Sequence, residues 1–251
     1  CKKSIKKIYY EYMIHLISYG DNKYYTRLKI LKMELQKLNL VNSFTSYTDN
    51  DIDINFKKKF NGILNKKRGG GYWIWKPYLI KKHLEKINNN DILIYIDAGV
   101  TINLMGKYRL LEYIELLNKS KEGIISFQME ELQEKYWTKR EVFNYFNISY
   151  DDKIANSGQL VGGILIMKKN KKLISQIEEW NRILYYDSSL FIDDFDRRFQ
   201  IKDFKDHRHD QSIFSIIRKL TGSIVIKNET YFDFGSDESM KFPFWATGLR
   251  N

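Results

Sequence analysis

The first apolar run, Ile14-His15-Leu16-Ile17-Ser18-Tyr19-Gly20, is short and ends in turn formers, which predicts a buried strand and then a loop. The period then changes: Tyr24, Leu28, Leu31, Leu35 and Leu38 recur at three and four residues among Lys and Glu, predicting an amphipathic helix from about Lys23 to Leu38. Val41 to Tyr47 predicts a second strand. A helical pattern from Ile52 to Leu64 stops at Arg68-Gly69-Gly70-Gly71, and Tyr72-Trp73-Ile74-Trp75-Lys76-Pro77 opens another helix running to about Ile87, because proline is tolerated near a first turn. Asp91 to Gly99 carries the strongest strand signal, a near-continuous apolar run suited to a central strand covered on both faces, with Asp97 at its carboxyl end.

Further on, Lys107 to Leu117 predicts a helix, Gly123 to Phe127 a strand, and Trp137-Thr138-Lys139-Arg140 leads a helix to about Tyr145. Leu160 to Met167 is a strand pattern containing Gly162-Gly163, where a bulge or a ligand can approach the backbone. Leu173 to Leu184 is helical, Tyr185 to Lys205 irregular, Asp206 to Leu220 helical again, and Ser223 to Ile226 a late strand. Strands and helices linked by short connections predict an α/β class: one Rossmann-type domain over residues 1–251, with a mostly parallel central sheet flanked by helices. Ligands of such sheets sit beyond the carboxyl ends of the strands. Neither an internal repeat nor a linker composition argues for a second domain.

Composition narrows the class. With 251 residues, 43% of them hydrophobic, the chain can bury a core, and disorder is excluded as its main state. Its longest apolar stretches, Ile92 to Ile96 and Leu160 to Met167, fall short of the ~20 residues that cross a bilayer, so no transmembrane segment is expected. A single cysteine, Cys1, and no recognisable leader point to a reducing compartment, cytoplasmic or peripheral at the cytoplasmic membrane face. The formal charge is +11. Lys2, Lys3, Lys6 and Lys7 crowd the N-terminus, whereas Asp187 to Asp210 holds seven Asp against five Lys/Arg. No basic stripe with interleaved aromatics runs through the chain, so a nucleic-acid partner is not expected.

Several constellations could carry chemistry. Asp97 at a strand end, followed by the small Ala98 and Gly99, can begin a turn or hold a divalent cation against a diphosphate. Arg68-Gly69-Gly70-Gly71 is a flexible turn or an anion site made of amides, a guanidinium and the following helix start. Lys76 at that helix start opposes the dipole, and an anionic ligand would compensate it. Asp206-His207-Arg208-His209-Asp210-Gln211 is a capped helix start or a site for a metal and a phosphorylated, hydroxyl-rich substrate. No cysteine cluster or His-Glu-x-x-His pattern accompanies it, which argues against zinc hydrolysis. Asn156-Ser157-Gly158-Gln159 is a polar turn or a reader of sugar hydroxyls. His15 and His83 are read as structural.

Taken together, Arg68 to Pro77, Asp91 to Gly99, Trp137 to Arg140, Gln159, His207 to Ser212 and the closing Phe242-Pro243-Phe244-Trp245-Ala246-Thr247 resemble GT-A-type glycosyltransferases of bacterial polysaccharide clusters and large DNA viruses. More distantly the order of parts is similar to glycogenin-like retaining transferases. The resemblance implies transfer of a sugar from a nucleotide-diphosphate donor, UDP-linked, to a hydroxyl of a glycan, protein or lipid-linked acceptor. The alternative is a catalytically inactive nucleotide-sugar or glycan-binding module of the same fold. A viral origin would imply a host-cell or virion context. The resemblance further implies that Lys76 contacts the donor sugar and that Mn2+ or Mg2+ is bound at the strand end. Asp97-Ala98-Gly99 departs from the Asp-x-Asp of that family by lacking the second carboxylate, so either His207, His209 or Asp210 replaces it or Lys and Arg neutralise the diphosphate. The expected donor contacts are Ser18, Tyr19, Gly20, Thr45, Tyr47, Arg68, Lys76, Asp97, Ala98, Gly99, His207 and Gln211. The expected metal ligands are Asp97, His207 and His209, and the expected catalytic groups are Asp210, Gln159 and Lys76; the reaction either inverts, with Asp210 as general base, or retains by same-face attack with the donor phosphate taking the proton.

Overall fold

The computed structural model describes residues 12–250, so Cys1 and the lysines Lys2, Lys3, Lys6 and Lys7 lie outside the described residues. Its main sheet has the strand order β2 (Ser43–Tyr47), β1 (Ile14–Tyr19), β3 (Ile92–Ile96), β7 (Ile164–Lys168), β5 (Ile124–Gln133), β6 (Gly158–Leu160), with β8 (Ile224–Lys227) also paired to β5. β1 runs parallel to β2 and β3, and β8 runs parallel to β5. The pairs β3–β7, β5–β7 and β5–β6 are antiparallel. Two successive reversals return β5 to the direction of β3, so five of the seven strands point one way and only β6 and β7 oppose them. A two-stranded ribbon, β4 (Thr101–Ile102) with β9 (Phe244–Trp245), lies beyond the sheet.

The uninterrupted apolar run of β3 is explained by its two covered faces. Leu93 and Tyr95 join one core cluster, Ile92, Ile94 and Ile96 the other. Helices α1 (Tyr25–Leu38) and α3 (Lys107–Lys119) cover the second face through Leu28, Leu31, Leu35, Leu110, Ile114 and Leu117. The first face is covered by α2 (Trp75–Leu84), α4 (Lys171–Tyr186) and α5 (His209–Thr221). Among the described residues no helix is long and apolar enough to cross a membrane.

Of the elements that differ from the sequence expectation, three do so for a local reason. The Ile52–Leu64 pattern forms two short helices, Ile54–Lys59 and Asn61–Leu64, each too short to present a long stripe. The helix expected from Tyr72 starts only at Trp75, because the residues before it turn left-handed. Leu160–Met167 is two strands, β6 and β7, parted at Val161-Gly162-Gly163. Buried polar side chains hold that break. The Arg218 guanidinium donates to Leu160 O (3.2 Å), Val161 O (3.0 Å) and Ser126 Oγ (3.2 Å), and burial pushes its pKa down to about 9. The fully buried Glu134 carboxylate accepts from Lys219 Nζ (2.9 Å), Thr138 Oγ1 (2.9 Å), Gln159 Nε2 (3.0 Å) and Ser215 Oγ. These bonds satisfy carbonyls and a carboxylate that would otherwise be costly to bury.

The break also sets the site. Because β7 runs against β3, the start of β7 meets the end of β3, and Asp97 N donates to Gly163 O at 2.8 Å. Beneath it, Trp180 of α4 and Phe214 of α5 stack at 4.1 Å, both fully buried. Phe214→Ala is expected to cost about 3–5 kcal/mol, read as a lower urea midpoint. An unchanged midpoint would contradict this packing.

Candidate active site

At the carboxyl ends of β1 and β3 lies a cleft of ≈500 Å³, and beside it a smaller compartment of ≈170 Å³. Arg68, Trp73, Asp97 and Gly163 line both, so the two meet at the end of β3. Tyr19 and Gly20 reach the larger cleft from the loop after β1, and Ala98 and Gly99 from the loop after β3. Its far wall is the C-terminal segment, where Thr247 Oγ1 (2.9 Å) and Leu249 N (3.1 Å) both donate to Gly99 O.

One wall is a left-handed turn. Gly69, Gly70 and Gly71 have φ of 58°, 56° and 93°, and Tyr72 and Trp73 continue it at 56° and 57°. Tyr72 N donates to Arg68 O (2.7 Å) and Trp73 N to Gly69 O (3.2 Å). For a side-chain-bearing residue this conformation costs roughly 1–2 kcal/mol. Trp75 helps to hold it: Nε1 donates to Gly69 O at 3.0 Å, and the indole stacks on Tyr19 at 3.9 Å. Trp73 stacks against His209 at 5.5 Å. Since Gly70, Gly71, Tyr72 and Trp73 all donate their amides within the turn, the amide cradle expected of the glycine run is not formed. The run instead presents the Trp73 ring and Arg68, whose guanidinium is fixed by Asp206 (2.7 Å) and Asp193 (3.2 Å).

Lys76, in the first turn of α2, sits at the junction. Its Nζ lies 2.7 Å from Asp210 Oδ2 and 3.4 Å from Asp97 Oδ1, and donates to Gly162 O at 3.2 Å. The side chain is 3% exposed. Burial disfavours its charge, but the Asp210 and Asp97 carboxylates outweigh that and raise its pKa above the ordinary lysine value. Burial pushes Asp210 up to about 6 against the pull of Lys76. The Lys76–Asp210 contact is a close ion pair off the hydrogen-bond direction, so Asp210 Oδ2 has no hydrogen-bond donor. Asp97 Oδ1 also accepts from Tyr95 OH at 2.5 Å. The glycine pair makes this approach possible: a Cβ on Gly163 would stand 2.7 Å from Asp97 Oδ2, and one on Gly162 2.8 Å from the Gln211 side chain.

The expected residues divide into two groups. Tyr19, Gly20, Arg68, Asp97, Ala98 and Gly99 line the larger cleft, and Lys76, His209, Asp210 and Gln211 the smaller compartment. Ser18, Thr45, Tyr47, Gln159 and His207 are on neither wall. Ser18 is fully buried within β1. Thr45 is held in the edge strand β2, and Tyr47 packs into the core with its hydroxyl 2.8 Å from His83 Nδ1. His207 has both ring nitrogens engaged: Nε2 donates to Leu190 O (2.9 Å) and Nδ1 accepts from Lys139 N (3.4 Å), with burial keeping the ring neutral. Gln159 stands behind the wall, where Gln211 Nε2 donates to its Oε1 (2.5 Å) and Gln211 Oε1 accepts from Gly162 N (2.8 Å).

The proposed metal ligands do not converge. His207 is spent on backbone groups, His209 Nδ1 lies 2.9 Å from Phe191 O, and among the described residues no three His, Cys, Asp or Glu side chains form a group that could hold an ion. These residues do not fit a resident divalent cation. Sequence reasoning also missed Trp73 as a wall and the C-terminal segment as the far side. The available signals were the cluster of Trp73 and Trp75 beside Lys76 and the closing Phe242–Thr247 motif, which gave no role to the residues it contains.

No family model matches the sequence, and no curated protein matches it. Solved structures do match in fold. A glycosyltransferase involved in glycosylation of the major capsid of PBCV-1 aligns over 93% of this chain and 92% of its own, at 11% identity and a TM-score of 0.53. The galactosyltransferase LgtC, solved with donor and acceptor sugar analogues, aligns over 87% of this chain and 75% of its own, at 13% identity and a TM-score of 0.45. Mouse xyloside xylosyltransferase 1 covers 91% of this chain and 93% of its own, at 12% identity and a TM-score of 0.41. By its likeness to the first of these the chain has the GT-A glycosyltransferase fold.

Two outcomes follow from the site's construction. A Cβ on Gly69 would lie 2.3 Å from the Trp73 ring at a left-handed φ, whereas one on Gly62 meets nothing within 4 Å. Gly69→Ala should therefore lower the melting temperature and alter tryptophan fluorescence, while Gly62→Ala leaves both near wild type; equal effects would contradict the turn. The second concerns pH. Burial lowers His83 and His209 to about 4 and His207 well below its ordinary value. Below about pH 6.5 the unfolded chain takes up protons that these folded histidines refuse, so stability is lost as pH falls from 6.5 towards 4. Asp210, raised to about 6, works in the opposite direction with one proton against three. A urea midpoint that stays constant between pH 7 and 4.5 would contradict the buried neutral histidines.

Proposed function

We propose that the chain transfers a sugar from a nucleoside-diphosphate donor, UDP-linked, to a hydroxyl of a glycan, protein or lipid-linked acceptor. The supporting observation is the meeting of the two compartments at Asp97, with Lys76 and Asp210 beside it on the wall of the smaller one, at the carboxyl strand ends where open α/β sheets bind ligands. The larger cleft takes the nucleoside diphosphate, with the Tyr19–Trp75 stack and the C-terminal segment flanking the base and ribose. The smaller compartment takes the sugar.

In this reading the bond between the anomeric carbon and the diphosphate oxygen breaks, and its electron pair leaves with the nucleoside diphosphate. Lys76, whose side chain is buried, faces the departing oxygen and meets the charge as it develops. Asp97 orients the ammonium. The acceptor oxygen forms the new bond, and its proton passes to Asp210, whose raised pKa gives it more basicity than an ordinary carboxylate. Gln211, fixed by Gly162 N and Gln159, borders the sugar, and Gln159 with Glu134 acts only in positioning it.

The experiment is an assay of nucleoside-diphosphate release across a panel of nucleotide sugars. Asp210→Asn should lower kcat by roughly 10²–10⁴ with the fold intact by melting temperature. Because Asp210 must be ionised to take the proton, wild-type kcat/KM should fall as pH is lowered through about 6. Retained configuration at the transferred carbon by proton NMR, with Asp210→Asn fully active, would remove the base assignment. Donor binding with no release of any nucleoside diphosphate would make the chain a binding module.

A further inference from the structure

The donor of the proposed reaction brings a diphosphate, and its charge must be met before and during bond cleavage. Three features of the junction bear on how. First, a second carboxylate two residues after Asp97 has no room: a Cβ on Gly99 would stand 2.9 Å from Leu249 O and 3.1 Å from Gly248 C. Those are backbone atoms of the segment that Thr247 and Leu249 tie to Gly99 O, so the obstruction is part of the cleft wall. The absence of Asp-x-Asp is therefore built into the packing.

Second, the oxygens of Asp97 are constrained. Oδ1 accepts from Tyr95 OH and faces Lys76 Nζ, and Oδ2 abuts the Gly163 backbone closely enough that no side chain fits between. Third, the space between Asp97 and Asp210, the carboxylate of the smaller compartment, holds the Lys76 ammonium, 3.4 Å from one and 2.7 Å from the other. A dication drawn to this carboxylate pair would stand against a buried ammonium, and like charges at such distances repel strongly where water is scarce. Further cations line the walls: the exposed Lys67 in the larger cleft, Arg208 in the smaller compartment, and in both Arg68, which is held by Asp193 and Asp206. Ammonium and guanidinium groups bind phosphate oxygens through charge-assisted hydrogen bonds.

We propose that Lys76 occupies the place of the divalent cation, so that the donor diphosphate is bound and its leaving charge neutralised by fixed side-chain cations, with no divalent cation required. The proposal rests on the glycosyl-transfer reading. It makes Asp97 and Asp210 the holders of an internal cation. Lys76 thereby becomes the electrostatic partner of the leaving group, with Arg68 and Lys67 supporting it along the diphosphate.

Isothermal titration of the whole chain with UDP, and in parallel with ADP, GDP and CDP, separates the possibilities when each is run in EDTA, in Mn2+ and in Mg2+. The expected result is a dissociation constant for the preferred nucleotide that agrees within about twofold across the three conditions. Electron paramagnetic resonance of Mn2+ mixed with protein alone should show the free-ion signal undiminished. Lys76→Ala should weaken binding in EDTA at least tenfold. Should that variant fail to fold, the wild-type comparison across conditions still decides. Binding that is lost in EDTA, or tightened tenfold or more by Mn2+ or Mg2+, overturns the fixed-cation proposal and leaves the transferase reading standing. If no nucleoside diphosphate binds under any condition, both fall together.

Discussion

A buried lysine held between two carboxylates organises this molecule's site. Lys76 Nζ reaches Asp210 from α5, Asp97 from the end of β3 and the Gly162 carbonyl from the break between β6 and β7. Each partner is brought by a different element of the fold, so the ammonium fixes their relative placement. A buried ion pair of this kind is weak evidence for stability, because desolvation offsets much of its attraction. Its retention in the wall of a cleft is better explained by the field it creates there. Removing one partner would leave a buried charge uncompensated, which is why the site and the local fold are coupled.

Around that centre the structure invests in polar groups that never reach the cleft. Glu134, Lys219, Ser215, Thr138 and Gln159 form one buried network, which ends at Gln211 on the wall of the smaller compartment. Arg218 secures the carbonyls of Leu160 and Val161, just before the glycines that face Asp97 and Gln211. His207 and His209 pin the segment from Leu190 to Phe191 through its carbonyls. A sequence reader sees Asp, His and Gln in such places and assigns chemistry to all of them. The fold divides them into groups that face the hollow and groups that hold its walls.

That division marks the limit of what the sequence disclosed. Continuous apolar runs located β1 and β3, the helical spacing of apolar residues located α1, α3, α4 and α5, and the strand-end rule located Asp97. Lys76, Asp97, Asp210 and Gln211 were nameable because charged or amide groups at a helix start or a strand end suggest a ligand. The five-residue left-handed turn was not legible, since Tyr72 and Trp73 ordinarily avoid that conformation. Nor was the role of the C-terminal segment, because nothing local to residues 246–250 indicates that they close a cleft built mostly from the first hundred residues. His207 misled for a physical reason: a histidine with both nitrogens bonded to backbone cannot be told by sequence from one that binds a metal.

The measurement that bears most directly on the account is a crystal structure of the chain with UDP or its preferred nucleoside diphosphate. The account predicts the diphosphate at the junction of the two compartments, with a phosphate oxygen about 3 Å from Lys76 Nζ and the nucleoside in the larger cleft. A nucleotide bound elsewhere, or one seated in the cleft while Lys76 stays sealed behind Asp97 and Asp210 out of reach of every phosphate oxygen, would contradict it.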